Sequence, residues 1–325
     1  MFSRSLHGVT SPRPASRFIS GFISGLLLRR SGLLASASLI APHALAAAAI
    51  SAHPGAGAPP AATATPASDW CVQLAPRLPR VSAADCRNHQ LKPSGVRSNN
   101  GFPLLTRDFA ASARAPKALR VLLLGGIHGD ELTSSAIVFK WMETLRKGEP
   151  EFNWKIAPVV NPDGMLAPKP VRVNAHGVDL NRNFPTPDWQ KEAPAYWARV
   201  TRKDPRRYPG KAPVSEPESR WVHDLIESYK PDVIISVHAP YGVLDFDGPN
   251  TPPSRFGRLV YNRVGVYPGS LGNYSGVHKD IPVVTIELPN ATQMPPDAEI
   301  QRIWLDMQTW IRKNITVAAH TKAAR

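Results

Sequence analysis

The chain has 325 residues, enough for a large buried core and, by length alone, for two domains. Two cysteines exclude a disulfide-built miniprotein, and 42% hydrophobic with 20% charged residues describes a globular chain whose 34 prolines are unevenly spread. Lysine and arginine outnumber acids 39 to 25, a net charge of +14 that suits an anionic partner. No RNA-binding signature, zinc-finger spacing or interleaved aromatic and basic patch is present, so no nucleic-acid partner is expected.

Residues 1–46 read as an export signal. Arg4, Arg13, Arg17, Arg29 and Arg30 occur there without an acid or a lysine, so their removal leaves +9 (14 minus 5). They precede or interrupt apolar blocks over 18–28 and 32–50, and Ala44 with Ala46 forms an A-x-A cleavage site. The general secretory and twin-arginine routes stay open, as does a downstream translation start. An uncleaved anchor competes, but Pro42 and the many alanines make a poor spanning helix, and no later run approaches the roughly 20 apolar residues a bilayer needs. No stable membrane insertion is expected after cleavage, and the expected location is the periplasm.

Residues 47–68, AAAISAHPGAGAPPAATATPAS, lack the large apolar groups that packing needs and read as a tether. Residues 69–95 form an N-terminal segment carrying Cys71 and Cys86. In an exported chain their even count and close spacing favour a disulfide, with two free buried thiols as the alternative.

Residues 96–318 read as one α/β domain, followed by a tail over 319–325. Val121 to Leu124 is a continuous apolar strand stopping at Gly125-Gly126. Helical spacing of Ile137, Val138, Trp141, Met142 and Leu145 predicts a helix over 131–147. A second strand is expected over 152–160. A capping box of Ser215 with Glu218 predicts a helix through Tyr229. Further strands are expected over 233–237 and 283–288, and Ile300, Ile303, Trp304, Met307 and Ile311 mark a last amphipathic helix. The alternation implies a mixed, mostly parallel twisted sheet with helices on both faces.

The chemistry-bearing residues fall where strands end, the edge at which open α/β sheets place their sites. His128 and Glu131 lie three apart at the first strand-to-helix turn, and His238 ends the third predicted strand. Two imidazoles and a carboxylate leave a fourth zinc position open, as in hydrolytic rather than structural sites. Glu287, ending the fourth predicted strand, supplies a second carboxylate that need not touch the metal. After the second predicted strand come Asn161-Pro162-Asp163-Gly164 and a segment running from Arg172 through Asn181-Arg182 to Pro185. Turn chemistry accounts for NPDG alone, but not for the arginines and amides gathered near this edge.

In the order HGDE, NPDG, NAHGVDLNRNFP, SVH and TIE, these motifs resemble the zinc carboxypeptidase superfamily over roughly residues 95–315. Within it the PGKAPVSEPES, HAPYG and PGSLGNY segments are most similar to bacterial murein peptide amidases, which cut γ-D-glutamyl-meso-diaminopimelate bonds in peptidoglycan peptides. The resemblance implies one zinc ion held by His128, Glu131 and His238, with Glu287 as general base. It implies Arg172 as the group polarising the scissile carbonyl, and Asn181 with Arg182 as the grip on a substrate carboxylate. Tyr267 is the candidate for the family's substrate-side tyrosine, with Tyr274 and Tyr261 as rivals. Asp130 is read either as orienting a ligand histidine or meeting a substrate amine, or as a helix N-terminal carboxylate, and Asp179 as holding its own loop. His176 stands where many relatives have asparagine.

The implied activity is hydrolysis of murein peptides. A carboxypeptidase acting on proteins or stem peptides is the alternative, and a non-catalytic wall-binding protein a third reading. The sequence sets no oligomeric state.

Overall fold

A computed structural model describes residues 67–113 and 119–316. The expected export signal, the tether up to residue 66 and the tail from 319 lie outside the described residues. Among the described residues no helix is long and apolar enough to cross a membrane.

Two short helices come first, α1 (Ala67–Leu74) and α2 (Ala83–Asn88), the second opened by a reciprocal capping box between Ser82 and Asp85. The Cys71–Cys86 disulfide forms, joining them at a Cα–Cα separation of 5.6 Å. Trp70, Leu74, Leu78, Val81 and both cysteines enter the main hydrophobic core, so the cysteine-bearing segment packs as part of the α/β domain.

The strands are β1 (Lys92–Arg97), β2 (Pro103–Phe109), β3 (Arg120–Leu124), β4 (Asn153–Ala157), β5 (Val233–His238), β6 (Val243–Asp247), β7 (Arg255–Phe256), β8 (Leu259–Tyr261) and β9 (Val283–Glu287). They form one sheet in the order β1-β2-β4-β3-β5-β9-β6-β8-β7. The centre, β4-β3-β5-β9, is wholly parallel, while antiparallel pairing enters on both sides, at β2-β4 and at β9-β6. The boundary expected at residue 95 falls inside β1.

The remaining helices are α3 (Leu132–Lys147), α4 (Pro162–Leu166), α5 (Trp189–Arg199), α6 (Pro217–Tyr229) and α7 (Asp297–Asn314). Successive residues of the central strands point to opposite faces, and the apolar clusters divide accordingly. Val121, Leu123, Ile235 and Val237 join the α3 and α7 side, whereas Leu122, Leu124 and Ile234 join Trp221, Val222 and Ile226 of α6. Burial on both faces is why these strands read as unbroken apolar runs.

The capping box expected between Ser215 and Glu218 does not form. Pro217, whose ring presets a helical φ, takes the first turn, and Glu216 becomes the cap residue. Ser215 Oγ donates to Glu216 at 2.8 Å, and the wholly buried Glu218 accepts from Asn174 Nδ2 at 3.1 Å. Neighbours from another loop outcompete the local contact.

Because β3, β5 and β9 are parallel, their carboxyl ends share one edge. His238 is registered directly opposite Glu287, and Leu124, which leads into the His128 turn, opposite Ser236.

Candidate metal centre and substrate cleft

The turn after β3 packs so closely that a Cβ on Gly129 would run into the backbone of Gly164 and Met165. That close approach lets His128 and Glu131 turn back toward the strand end. Glu131 takes the cap position of α3 without capping it, which leaves its carboxylate free to point into the cleft. One ligand atom from each of His128, Glu131 and His238 lies within 4.8 Å of the others, and all three residues are buried.

The outer nitrogens decide which atoms face inward. His128 Nε2 lies 3.2 Å from Asp179 Oδ1, and His238 Nε2 lies 3.1 Å from Ser236 Oγ. A proton on each Nε2 donates to those oxygens and leaves both Nδ1 lone pairs directed at one point. Those Nδ1 atoms are 3.1 Å apart, and Glu131 lies 2.7 Å from the first and 3.1 Å from the second. Glu131 also accepts from the Ala239 amide at 3.1 Å. Burial opposes its charge, but His128 and His238 hold its pKa well below the usual carboxylate range. Two imidazoles and a carboxylate, oriented from outside, are a donor set that fits a divalent metal of the zinc type.

Arg172 is buried against this cluster. Its Nε donates to Asp179 Oδ2 at 3.0 Å, and its Nη1 lies 3.1 Å from His128 Nδ1 and 3.4 Å from Glu131 Oε1. The NPDG turn sets its backbone: Asn161 accepts from Gly164 N–H at 2.9 Å and donates to the Arg172 carbonyl at 3.0 Å. Asp179, fully buried, also accepts from its own loop at Asn181 N–H, 3.0 Å away. Burial would raise its pKa, yet Arg172 and His128 drive it well below the carboxylate norm. Asp179 therefore does more than hold its loop, since it orients both His128 and Arg172. Asp130 instead pairs with Arg206 at 2.8 Å and orients neither histidine.

Glu287 is 6% exposed, and its Oε2 has no hydrogen-bond partner among the described residues. Burial pushes its pKa up, the nearby His238 pulls it down, and Glu131 pushes it up again. A carboxylate so placed is a competent proton acceptor facing the cluster.

Asn181 and Arg182 line the same cleft, of about 260 Å³, with His128, Glu131, Arg172, His238 and Glu287. Asn181 Oδ1 accepts from Leu271 N–H at 2.8 Å, which leaves its amide N–H groups to the cleft. Arg182 is anchored through its carbonyl, which accepts from Trp189 Nε1 at 2.9 Å. Its guanidinium is buried, donates to the Asn181 carbonyl at 2.6 Å, and has no carboxylate partner among the described residues. Burial outweighs the nearby Asp179, pushing its pKa down to about 10. The Tyr267 ring stacks on this guanidinium at 4.4 Å, and its hydroxyl donates to the Val264 carbonyl at 2.9 Å. Of the rivals, Tyr274 donates to Glu227 at 2.5 Å and Tyr261 is exposed on β8, and neither lines the cleft. His176 pairs with Glu216 at 2.9 Å, away from the cleft.

Sequence reasoning missed several cleft residues: Arg206 and Arg207, Tyr241 on the rim, and Asp245 and Asp247 on β6. The Arg206-Arg207 pair carried a signal in its charge. The β6 aspartates carried none, because their strand was not recognised.

A parallel-centred sheet with two histidines and a glutamate at its carboxyl edge defines a metal-site α/β protein, and the comparisons with known proteins narrow this. A family model described as zinc carboxypeptidase matches residues 93–246. Murein peptide amidase A of Escherichia coli K12 is 33% identical over 151 residues, covering 46% of this chain and 59% of that protein. Murein peptide amidase A of Vibrio campbellii is 30% identical over 183 residues, covering 52% of this chain and 69% of that protein. The crystal structure of carboxypeptidase A from Helicoverpa armigera superposes with a TM-score of 0.52 at 14% identity, covering 76% of this chain and 79% of that one, and so shares the fold. The chain belongs to the zinc carboxypeptidase family.

Proposed function

We propose that this protein is an exported hydrolase, loaded with one zinc ion, that cleaves the γ-D-glutamyl-meso-diaminopimelate amide of peptidoglycan peptides. The observation that carries the reading is the pairing of a metal-ligand cluster with a buried, unpaired Arg182 cation in one cleft. The first asks for a polarised carbonyl and the second for a substrate carboxylate. The choice of murein peptide is supported by the two relatives named murein peptide amidase A. Export is supported by the signal-like residues 1–46 and by a disulfide that suits an oxidising compartment.

Zinc bound by His128, Glu131 and His238 supplies Lewis-acid polarisation and acidifies water toward neutral pH. Glu287 takes the proton from the attacking water on its unpartnered Oε2 and delivers it to the departing nitrogen. Arg172, held by Asp179, presents a fixed cation to the oxyanion as charge develops on the carbonyl oxygen. Arg182 and Asn181 hold the carboxylate of the leaving residue, a planar fork and a directional donor that lysine could not replace.

Mass spectrometry of defined muropeptides incubated with the zinc-loaded protein tests this. Release of diaminopimelate from the γ-glutamyl tripeptide is expected, and an intact tripeptide overturns the amidase reading. More efficient release of terminal residues from ordinary peptides selects the carboxypeptidase reading.

A further inference from the structure

The segment that follows α5 carries a run of positive charge that the cleft chemistry does not use. Residues 199–211 hold Arg199, Arg202, Lys203, Arg206, Arg207 and Lys211 against one acid, Asp204. The Asp204 carboxylate turns inward and accepts from the Arg206 backbone N–H at 2.9 Å. Arg206 forms an ion pair with Asp130 at 2.8 Å, and the other five cations have none among the described residues. Arg207 is half-buried, and the rest are exposed.

This segment is firmly built. Trp197 Nε1 donates to the Asp204 carbonyl at 2.8 Å, Lys203 N–H donates to the Trp197 carbonyl at 2.9 Å, and the Trp197 and Tyr208 rings meet at 4.9 Å. The Asp179 N–H donates to the Tyr208 carbonyl at 2.8 Å, which ties the segment to the support of the metal centre. The chain turns through Arg202 and Lys203 at φ values of 55° and 59°. Left-handed backbone disfavours any residue with a Cβ, and glycine would make the turn at less cost, yet both positions carry exposed cations.

The charge is continuous with the cleft. Arg206 and Arg207 line it together with Arg172 and Arg182, and Arg207 adds to burial, the larger effect, in disfavouring the Arg182 charge. Arg199, Arg202, Lys203 and Lys211 lie outside that lining. A short peptide fills a cleft of about 260 Å³ and leaves these outer cations without anions. A polymer that bears carboxylates at intervals supplies them.

We infer that the 199–211 segment is a docking surface for the carboxylate-bearing stem peptides of polymeric peptidoglycan, so that substrate is taken from the wall polymer rather than as a free peptide. The assignment deepens the proposed hydrolase reading and rests on it for the identity of the polymer. Each contact is an exposed ion pair and weak alone. Several on one polymer reinforce each other, because the first engagement raises the effective concentration of the next anion.

The test uses the zinc-loaded protein and purified sacculi whose uncross-linked stems end in meso-diaminopimelate. Cosedimentation reads docking, and release of diaminopimelate from sacculi and from the free tripeptide reads turnover. Wild-type protein is expected to sediment with sacculi and to be released as salt rises from about 50 to about 300 mM. The triple variant Arg199→Gln, Arg202→Gln, Lys203→Gln is expected to lose roughly tenfold in sacculus binding and in kcat/KM on sacculi, with the free tripeptide within about twofold of wild type. Arg255→Gln, Arg258→Gln, Arg302→Gln removes the same charge elsewhere and should change neither. Unchanged sacculus binding in the first variant overturns the assignment, and so does an equal loss in the second, which would leave only net charge. Equal retention by sacculi whose carboxyl groups have been amidated, or tighter binding to phosphatidylglycerol vesicles, overturns it as well. Arg199→Gln with Lys211→Gln, both outside the left-handed turn, supplies the comparison if the triple variant does not fold. Charge-dependent sedimentation without cleavage of either substrate would refute the hydrolase reading and keep the docking surface, whereas tripeptide cleavage with sedimentation insensitive to the variant would do the reverse.

Discussion

Asp179→Asn separates the support of the metal centre from its ligands. Asp179 accepts from His128 Nε2 at 3.2 Å, Arg172 Nε at 3.0 Å and Asn181 N–H at 3.0 Å, and it is fully buried. The amide keeps its shape, and one oxygen can still serve the loop. Its NH2 group must then face either the Arg172 guanidinium or the His128 N–H, donor against donor. Arg172, buried, is left with Glu131 at 3.4 Å as its remaining anion. Removing one partner of a buried ion pair costs roughly 3–5 kcal/mol, and a shape-conserving amide belongs near the lower end. About 3 kcal/mol lowers Tm by about 6–12 °C in a domain of this size. Loss of the outer acceptor of a ligand histidine weakens metal affinity by about 10- to 100-fold. Thermal unfolding of the metal-free protein reads the first effect, and zinc competition against a chelator reads the second. An unchanged Tm together with zinc affinity within about twofold of wild type would refute the support role given to Asp179.

Three further outcomes are expected. Glu287→Gln should lower kcat by about 10²- to 10⁴-fold with zinc stoichiometry intact, and retained turnover would remove Glu287 from the proton-transfer role. Glu218, whose burial raises its pKa from 4.5 to about 7, is protonated in the folded state and ionised in the unfolded state between those values. Its contribution is therefore complete below pH 4.5 and lost as pH rises through about 7, so Glu218→Gln should flatten that fall and add up to roughly 3 kcal/mol above it. Denaturant melts at pH 5 and 8 read this, and parallel pH profiles for the two proteins would contradict it. Replacing both Cys71 and Cys86 by alanine opens a loop with a sequence separation of 15 and should cost about 3 kcal/mol, visible as a lower urea midpoint, whereas an unchanged midpoint would mean that core packing alone holds the segment.

The central strands and the helices over 132–147, 217–229 and 297–314 were legible because burial imposes a pattern that local sequence displays. Strands β6, β7 and β8 were not. The β6 sequence VLDFD alternates apolar and acidic residues over only five positions, and both its faces are buried, so Asp245 and Asp247 lie inside where alternation alone would place them in solvent. The capping box failed for a related reason, since Ser215 and Glu218 had the correct spacing but the buried Asn174 side chain and the Asn99 backbone N–H, both from distant loops, offered Glu218 other partners.

The sequence alone pointed to His128, Glu131, His238 and Glu287, because each sits at a strand end or the glycine turn that follows one, where the signal is local. What only the tertiary structure decided was the support of these residues and the unpaired charge left around them. Asp179 reaches a histidine 51 residues away, and Asp247 faces the cleft because β6 docks antiparallel on β9. Ligand identity is a matter of residue type and short spacing, whereas orientation and unpaired charge arise from which distant segments burial brings together.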